Sequence, residues 1–81
     1  LASNVKNTLQ GLVLEMHHNG SLIVIRTEPG SASLVARELD VHRPAGILGT
    51  IAGDDTVFVA PPQIKNLNRV LNQLKEFLAF Q

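Results

Sequence analysis

Gly49-Thr50-Ile51-Ala52-Gly53-Asp54-Asp55-Thr56 is the stretch whose reading decides the fold of this chain. Strand-like apolar runs flank its centre, Ile47 to Ala52 on one side and Thr56 to Ala60 on the other. Such runs, separated by a short Gly/Asp segment, read as a β-hairpin with Gly53, Asp54 and Asp55 at its tip. Gly accepts positive φ without steric cost and Asp bonds its own backbone, so the tip has turn chemistry. It also has charge. Adjacent carboxylates with little basic sequence around them, Arg43 apart, repel each other and suit a cation, either a metal ion or a guanidinium.

Upstream of the hairpin, Leu12-Val13-Leu14-Glu15-Met16 and Leu22-Ile23-Val24-Ile25-Arg26 bracket Asn19-Gly20, a strong short-range signal for a first hairpin. His17 and His18 raise the question of a metal, but successive strand side chains point to opposite faces and do not converge on one ion. Pro29-Gly30 breaks the second strand. Ala32, Val35, Ala36 and Leu39 then fall at helical spacing, which predicts a helix from about Pro29 to Asp40. Thr27 is the candidate N-cap, Glu28 is the first-turn anion, and Val41 and Pro44 end the helix. His42, in the return loop, is expected to be exposed. After Pro61-Pro62, Ile64, Leu67, Leu71, Leu74 and Leu78 step by three and four, the apolar stripe of an amphipathic helix.

The element order is therefore ββαββα. This predicts an α+β two-layer sandwich, a four-stranded antiparallel sheet with two helices on one face. A sheet with one solvated face should alternate apolar and polar residues, and these strands do not. Leu12 and Leu14 oppose Val13, Leu22 and Val24 oppose Ile23 and Ile25, and Val57 opposes Phe58. Two helices cover one face only. The other requires a cover from outside the chain, most economically further copies of it, with one set among Leu12, Leu14, Leu22, Val24, Ile51 and Val57 in that contact.

Composition narrows the function classes. Eighty-one residues make one small domain, and without Cys neither a disulfide framework nor a thiolate metal site can staple it. Seven acidic residues balance seven Lys and Arg, which argues against an unaided grip on nucleic acid. No apolar run reaches the ~20 residues of a membrane span, so a cytoplasmic location and no membrane partner are expected. Residues 1–10 read as a linker remnant or lead-in to a domain over 11–81. Because the chain opens on Leu1 rather than Met, we read it as a piece of something longer.

The octet at 49–56 closely resembles the signature of the C-terminal domain of bacterial arginine repressors. Ile25-Arg26-Thr27-Glu28-Pro29-Gly30-Ser31-Ala32 resembles the same family's entry into its first helix, and the two motifs stand in the family's order. The resemblance implies a DCoH-like sandwich that forms trimers and hexamers and binds L-arginine as corepressor between trimers. It implies no enzymatic activity and no cofactor beyond that ligand. Asp54 and Asp55 would be its ligand-binding acids, with Thr50 and Ala52 lining the same pocket. Ala32 and Ser33 would stand at its helix side, and Asp40 matches a further family acid. Ser33 is a departure, since many members carry Gln there. Operator DNA would be bound only through a winged helix-turn-helix domain absent from this sequence.

The residues by themselves leave three classes open. A sensor would use the acids for a guanidinium and the helix N–H groups around Gly30 to Ala32 for an amino acid carboxylate. A carboxylate–metal site, as in polymerases, needs further acids and a basic channel that the sequence does not supply. A ligand-independent oligomerisation module needs only the two-faced sheet, and leaves the acid pair without a role.

Overall fold

The computed structural model describes residues 8–81. It contains the predicted order: β1 (Val13–His18), β2 (Ile23–Thr27), α1 (Ala32–His42), a 3-10 turn (Pro44–Gly46), β3 (Gly49–Ala52), β4 (Thr56–Ala60) and α2 (Leu67–Phe77). The four strands form one antiparallel sheet in the order β1-β2-β4-β3. Of the expected lead-in, residues 1–7 lie outside the described residues. Leu9, just after them, is fully buried in the core.

The first hairpin closes on the pair His18 and Ile23. Asn19 shapes its loop with its side chain, accepting hydrogen bonds from the N–H groups of Ser21 at 3.0 Å and Leu22 at 2.9 Å. Gly20 stands at φ +94°, where an L side chain is strained. The hairpin at 49–60 turns through Gly53-Asp54-Asp55 as predicted, with Gly53 N–H bonded to the Thr56 carbonyl at 2.8 Å. Gly53 is not among the residues at positive φ, so the turn does not use the conformational freedom expected of it.

One face of the sheet carries the core. Ile23, Ile25, Val57 and Val59 are fully buried there against Val35 and Leu39 of α1 and Leu74 of α2. The core places Val57 with the helices and removes it from the set expected on the far side. A β-bulge between Val13 and Glu15 on β1 has a larger effect. One extra residue reverses the alternation, so Leu14 is exposed while Met16 is buried, although a regular strand keeps the two on one face. Leu74 lies at the centre of the α2 contact, and Leu74→Ala should cost about 2–5 kcal/mol by chemical denaturation. A loss below about 1 kcal/mol would show that α2 is not a core element.

Several boundaries moved. α1 begins at Ala32 rather than Pro29, and its N-cap is Ser31, which makes no side-chain cap. The Thr27 hydroxyl instead donates to the Glu28 carbonyl at 2.9 Å. The helix runs on to His42 and ends on Arg43 in the left-handed region, whose N–H bonds to Leu39. His42 is not exposed as expected. Its ring lies 5.5 Å from that of Phe77 and its Nε2 lies 3.5 Å from Glu38 Oε1, so it packs between the helices. Ile64 falls before α2 and is exposed, and Val70 takes a buried place on the stripe.

Candidate functional site

A cavity of about 510 Å³ opens between α1 and β3. Ser33, Asp40, Thr50 and Ala52 line it, four residues that the family resemblance placed at the ligand pocket. Strand register explains the β3 half: Thr50 pairs with Val59 and Ala52 with Val57, both core-facing, so both β3 side chains turn toward α1. Helix periodicity explains the other half. Ser33, Arg37 and Asp40 are four and three residues apart, on one face of α1. That spacing from Ser33 was the sequence signal for Arg37 and Val41, which line the cavity and were missed; Ile51 and Ala36 complete it.

The two halves are bonded together. Thr50 Oγ1 donates to Asp40 Oδ2 at 3.0 Å, which gives a carboxylate near the negative end of a helix a donor it needs. Thr50 thereby holds Asp40 at the wall of the cavity.

The acid tip stands beyond this lining, two residues after Ala52, and its two members are not alike. Asp55 Oδ1 accepts from Thr56 Oγ1 at 3.0 Å, and Asp55 Oδ2 accepts from Arg26 Nη2 at 3.2 Å. The Thr56 hydroxyl first, then Arg26, hold the Asp55 carboxyl below the usual carboxylate range. The pair is therefore not uncompensated, as local sequence implied. Its cation comes from 29 residues away, across β2 and β4. Asp54 is exposed, and among the described residues no hydrogen bond or ion pair engages its carboxylate.

The tip is sewn to the start of α1 through its backbone. The Asp54 carbonyl accepts from Gly30 N–H at 3.1 Å and Ala32 N–H at 3.2 Å, Ser31 N–H goes to Glu28, and Thr27 N–H goes to the Asp55 carbonyl. The donors expected to meet a ligand carboxylate around Gly30 to Ala32 are consumed by the protein itself. The Ala32 side chain is fully buried and does not line the cavity, and the residue meets the tip only through its backbone N–H.

His17 and His18 turn to different partners. His17 Nε2 bonds Glu15 Oε1 at 3.2 Å, while His18 Nε2 bonds Asn68 Oδ1 at 2.8 Å on the helix side. Among the described residues no group of three or more His, Cys, Asp or Glu side chains gathers to hold a metal.

The sheet's far face carries an open apolar row. Val24 pairs across to Phe58 and Phe58 to Ile51, over three strands, and Leu48 borders the row beside Ile51 and Phe58. Ile51 is 75% exposed, Leu48 62% and Phe58 48%, large apolar side chains open to solvent, while on β1 the partner of Val24 is His17. No helix among the described residues is long and apolar enough to cross a membrane.

Comparison with known proteins adds the following. The model of the family "Arginine repressor, C-terminal domain" matches residues 9–76. The arginine repressor of Shewanella sediminis (strain HAW-EB3) is 51% identical over 73 residues, 89% of this chain and 47% of that protein. That of Shewanella loihica (strain ATCC BAA-1088 / PV-4) is 49% identical over the same shares. That of Shewanella frigidimarina (strain NCIMB 400) is 48% identical over 79 residues, 96% of the chain and 48% of the relative. The chain thus spans about half the length of the curated relatives it matches. Their names are those of a regulator and not of an enzyme.

Proposed function

The chain belongs to the family of arginine repressor C-terminal domains, and from that membership we propose that it senses L-arginine and assembles a repressor of arginine metabolism genes. One observation carries the reading. Residues that the family resemblance implies from distant parts of the chain, Ser33 and Asp40 on α1 and Thr50 and Ala52 on β3, line a single cavity. Its wall offers the Asp40 carboxylate held by Thr50, the Arg37 guanidinium and apolar side chains, and the two charges suit the amino and carboxylate groups of an amino acid. Asp54, with its carboxylate free, is the acceptor for a guanidinium, whose planar fork of donors matches carboxylate geometry.

In one chain the cavity and the tip are separate. A ligand that needs both halves is best served where two copies meet, the cavity from one and the tip from the other. The apolar far face supplies a reason for copies to meet at all, and a trimer that pairs into a hexamer satisfies both contacts. Operators would be gripped by a separate domain, since the described residues present no excess of positive charge. An assembly module without ligand would leave Arg37 and Asp40 in the cavity wall and the free Asp54 without purpose.

Calorimetry with L-arginine tests the site. Asp54→Asn keeps the shape but removes the charge from a charge-assisted bond, and should weaken L-arginine binding at least about tenfold. Unchanged affinity in this variant would remove Asp54 from the site. L-lysine, a point charge without parallel donors, should stabilise the chain far less than L-arginine. Equal thermal stabilisation by both would contradict a guanidinium site.

A further inference from the structure

Asp54 and Asp55 are neighbours in sequence, yet β2 and β4 grip only one of them. Arg26 and Thr56 are direct partners across the two strands, and between them they take both carboxylate oxygens of Asp55. Thr27 N–H holds the Asp55 carbonyl at 2.8 Å, so side chain and backbone are both fixed against the end of β2. Arg26 has one other acid opposite it, Glu15 on β1, but the Glu15 carboxylate is hydrogen-bonded to His17 at 3.2 Å.

We propose that Arg26 is a positioning residue that sets the specificity of the tip: by engaging Asp55 it leaves Asp54 as the one free carboxylate, so that the tip accepts a singly charged cation and rejects a divalent one. The inference rests on the reading of Asp54 as the guanidinium acceptor and adds the reason that an acid pair does not become a metal site. Two free adjacent carboxylates carry a charge of about −2 and are relieved by a divalent ion. With Arg26 in place the three side chains sum to about −1, which one guanidinium balances. Arg26 and Asp55 are 48% and 42% exposed, and an ion pair so open to water adds little to the stability of a fold. Its effect falls on the charge and orientation of the acids.

The test compares the parent chain with Arg26→Gln, Arg26→Lys and the double variant Arg26→Gln/Asp55→Asn. Each is titrated with calcium chloride alone and with L-arginine alone, and thermal unfolding without additive checks that each variant is folded. The parent and Arg26→Lys should ignore millimolar Ca²⁺. Arg26→Gln should bind it at least about tenfold more tightly than the parent, and the double variant should lose that gain. A purely structural role for Arg26 predicts a lower melting temperature and no gain of Ca²⁺ binding. An Arg26→Gln chain as blind to Ca²⁺ as the parent, or a gain that survives in the double variant, overturns the proposal. If L-arginine binds none of the four while Arg26→Gln gains Ca²⁺, the arginine reading falls and the charge-setting role of Arg26 stands.

Discussion

L-arginine is expected to move the chain from trimers to hexamers in sedimentation, at protein concentrations where hexamer is not already complete. A ligand shifts an equilibrium only by its differential affinity for the two states. A guanidinium between Asp54 of one copy and the cavity of another, as proposed, would give that difference, because such a site is complete only in the joined form. One site held at a hundred times its dissociation constant contributes about 2.7 kcal/mol, and six such sites up to about 16 kcal/mol if separated trimers bind nothing. The ion pair of Asp55 with Arg26 moderates what the ligand must overcome. Each tip then brings one free acid, Asp54, into the proposed contact rather than two. Reciprocity requires L-arginine to bind more tightly as protein concentration rises. A trimer–hexamer distribution across a dilution series that ignores saturating L-arginine refutes the coupling.

The second large effect is expected on the far face of the sheet. Val24 and Ile25 are neighbours on β2 with opposite directions, Val24 in the open row with Phe58 and Ile51, Ile25 fully buried under the helices. Val24→Asp should leave the fold of one chain largely intact but place an unpaired carboxylate in the contact between chains. Burying such a group without a partner costs several kcal/mol, so dissociation is expected. Ile25→Asp puts the same charge in the chain's own core and should unfold it. Circular dichroism separates the two outcomes and sedimentation reads the assembly. A Val24→Asp chain that assembles like its parent would remove this face from the interface. A parent chain that is a stable monomer at micromolar concentration would do the same.

The contrast between Val24 and Ile25 also marks how far the sequence could be read. That strand parity divided the sheet into two apolar faces was visible in the alternation itself. Which parity met the helices was not, and the bulge at Leu14 shows why. One inserted residue exchanges the faces for everything beyond it, and no local propensity announces it. Val57, on the regular strand β4, was named among the candidates for the open face because alternation along a strand does not say which side meets the helices. Of the cavity lining, Thr50, Ala52, Ser33 and Asp40 were named from the family resemblance, whereas Arg37 and Val41 required following the helix face from Ser33.

The sequence by itself determined the elements, their order, the acid tip and the presence of apolar side chains on both faces of the sheet, because these follow from local periodicity, turn chemistry and the number of apolar side chains. Only the tertiary structure decided what each polar group meets. Gly30 and Ala32 carry the free N–H groups of a helix start, yet the Asp54 carbonyl occupies them, brought there by the packing of a distant hairpin. Asp55 looked as unpartnered as Asp54, and Arg26 reaches it only because β2 lies beside β4. Hydrogen bonds and ion pairs act over about 3 Å. Their partners are therefore set by where the chain returns in space, which the pattern along it does not record.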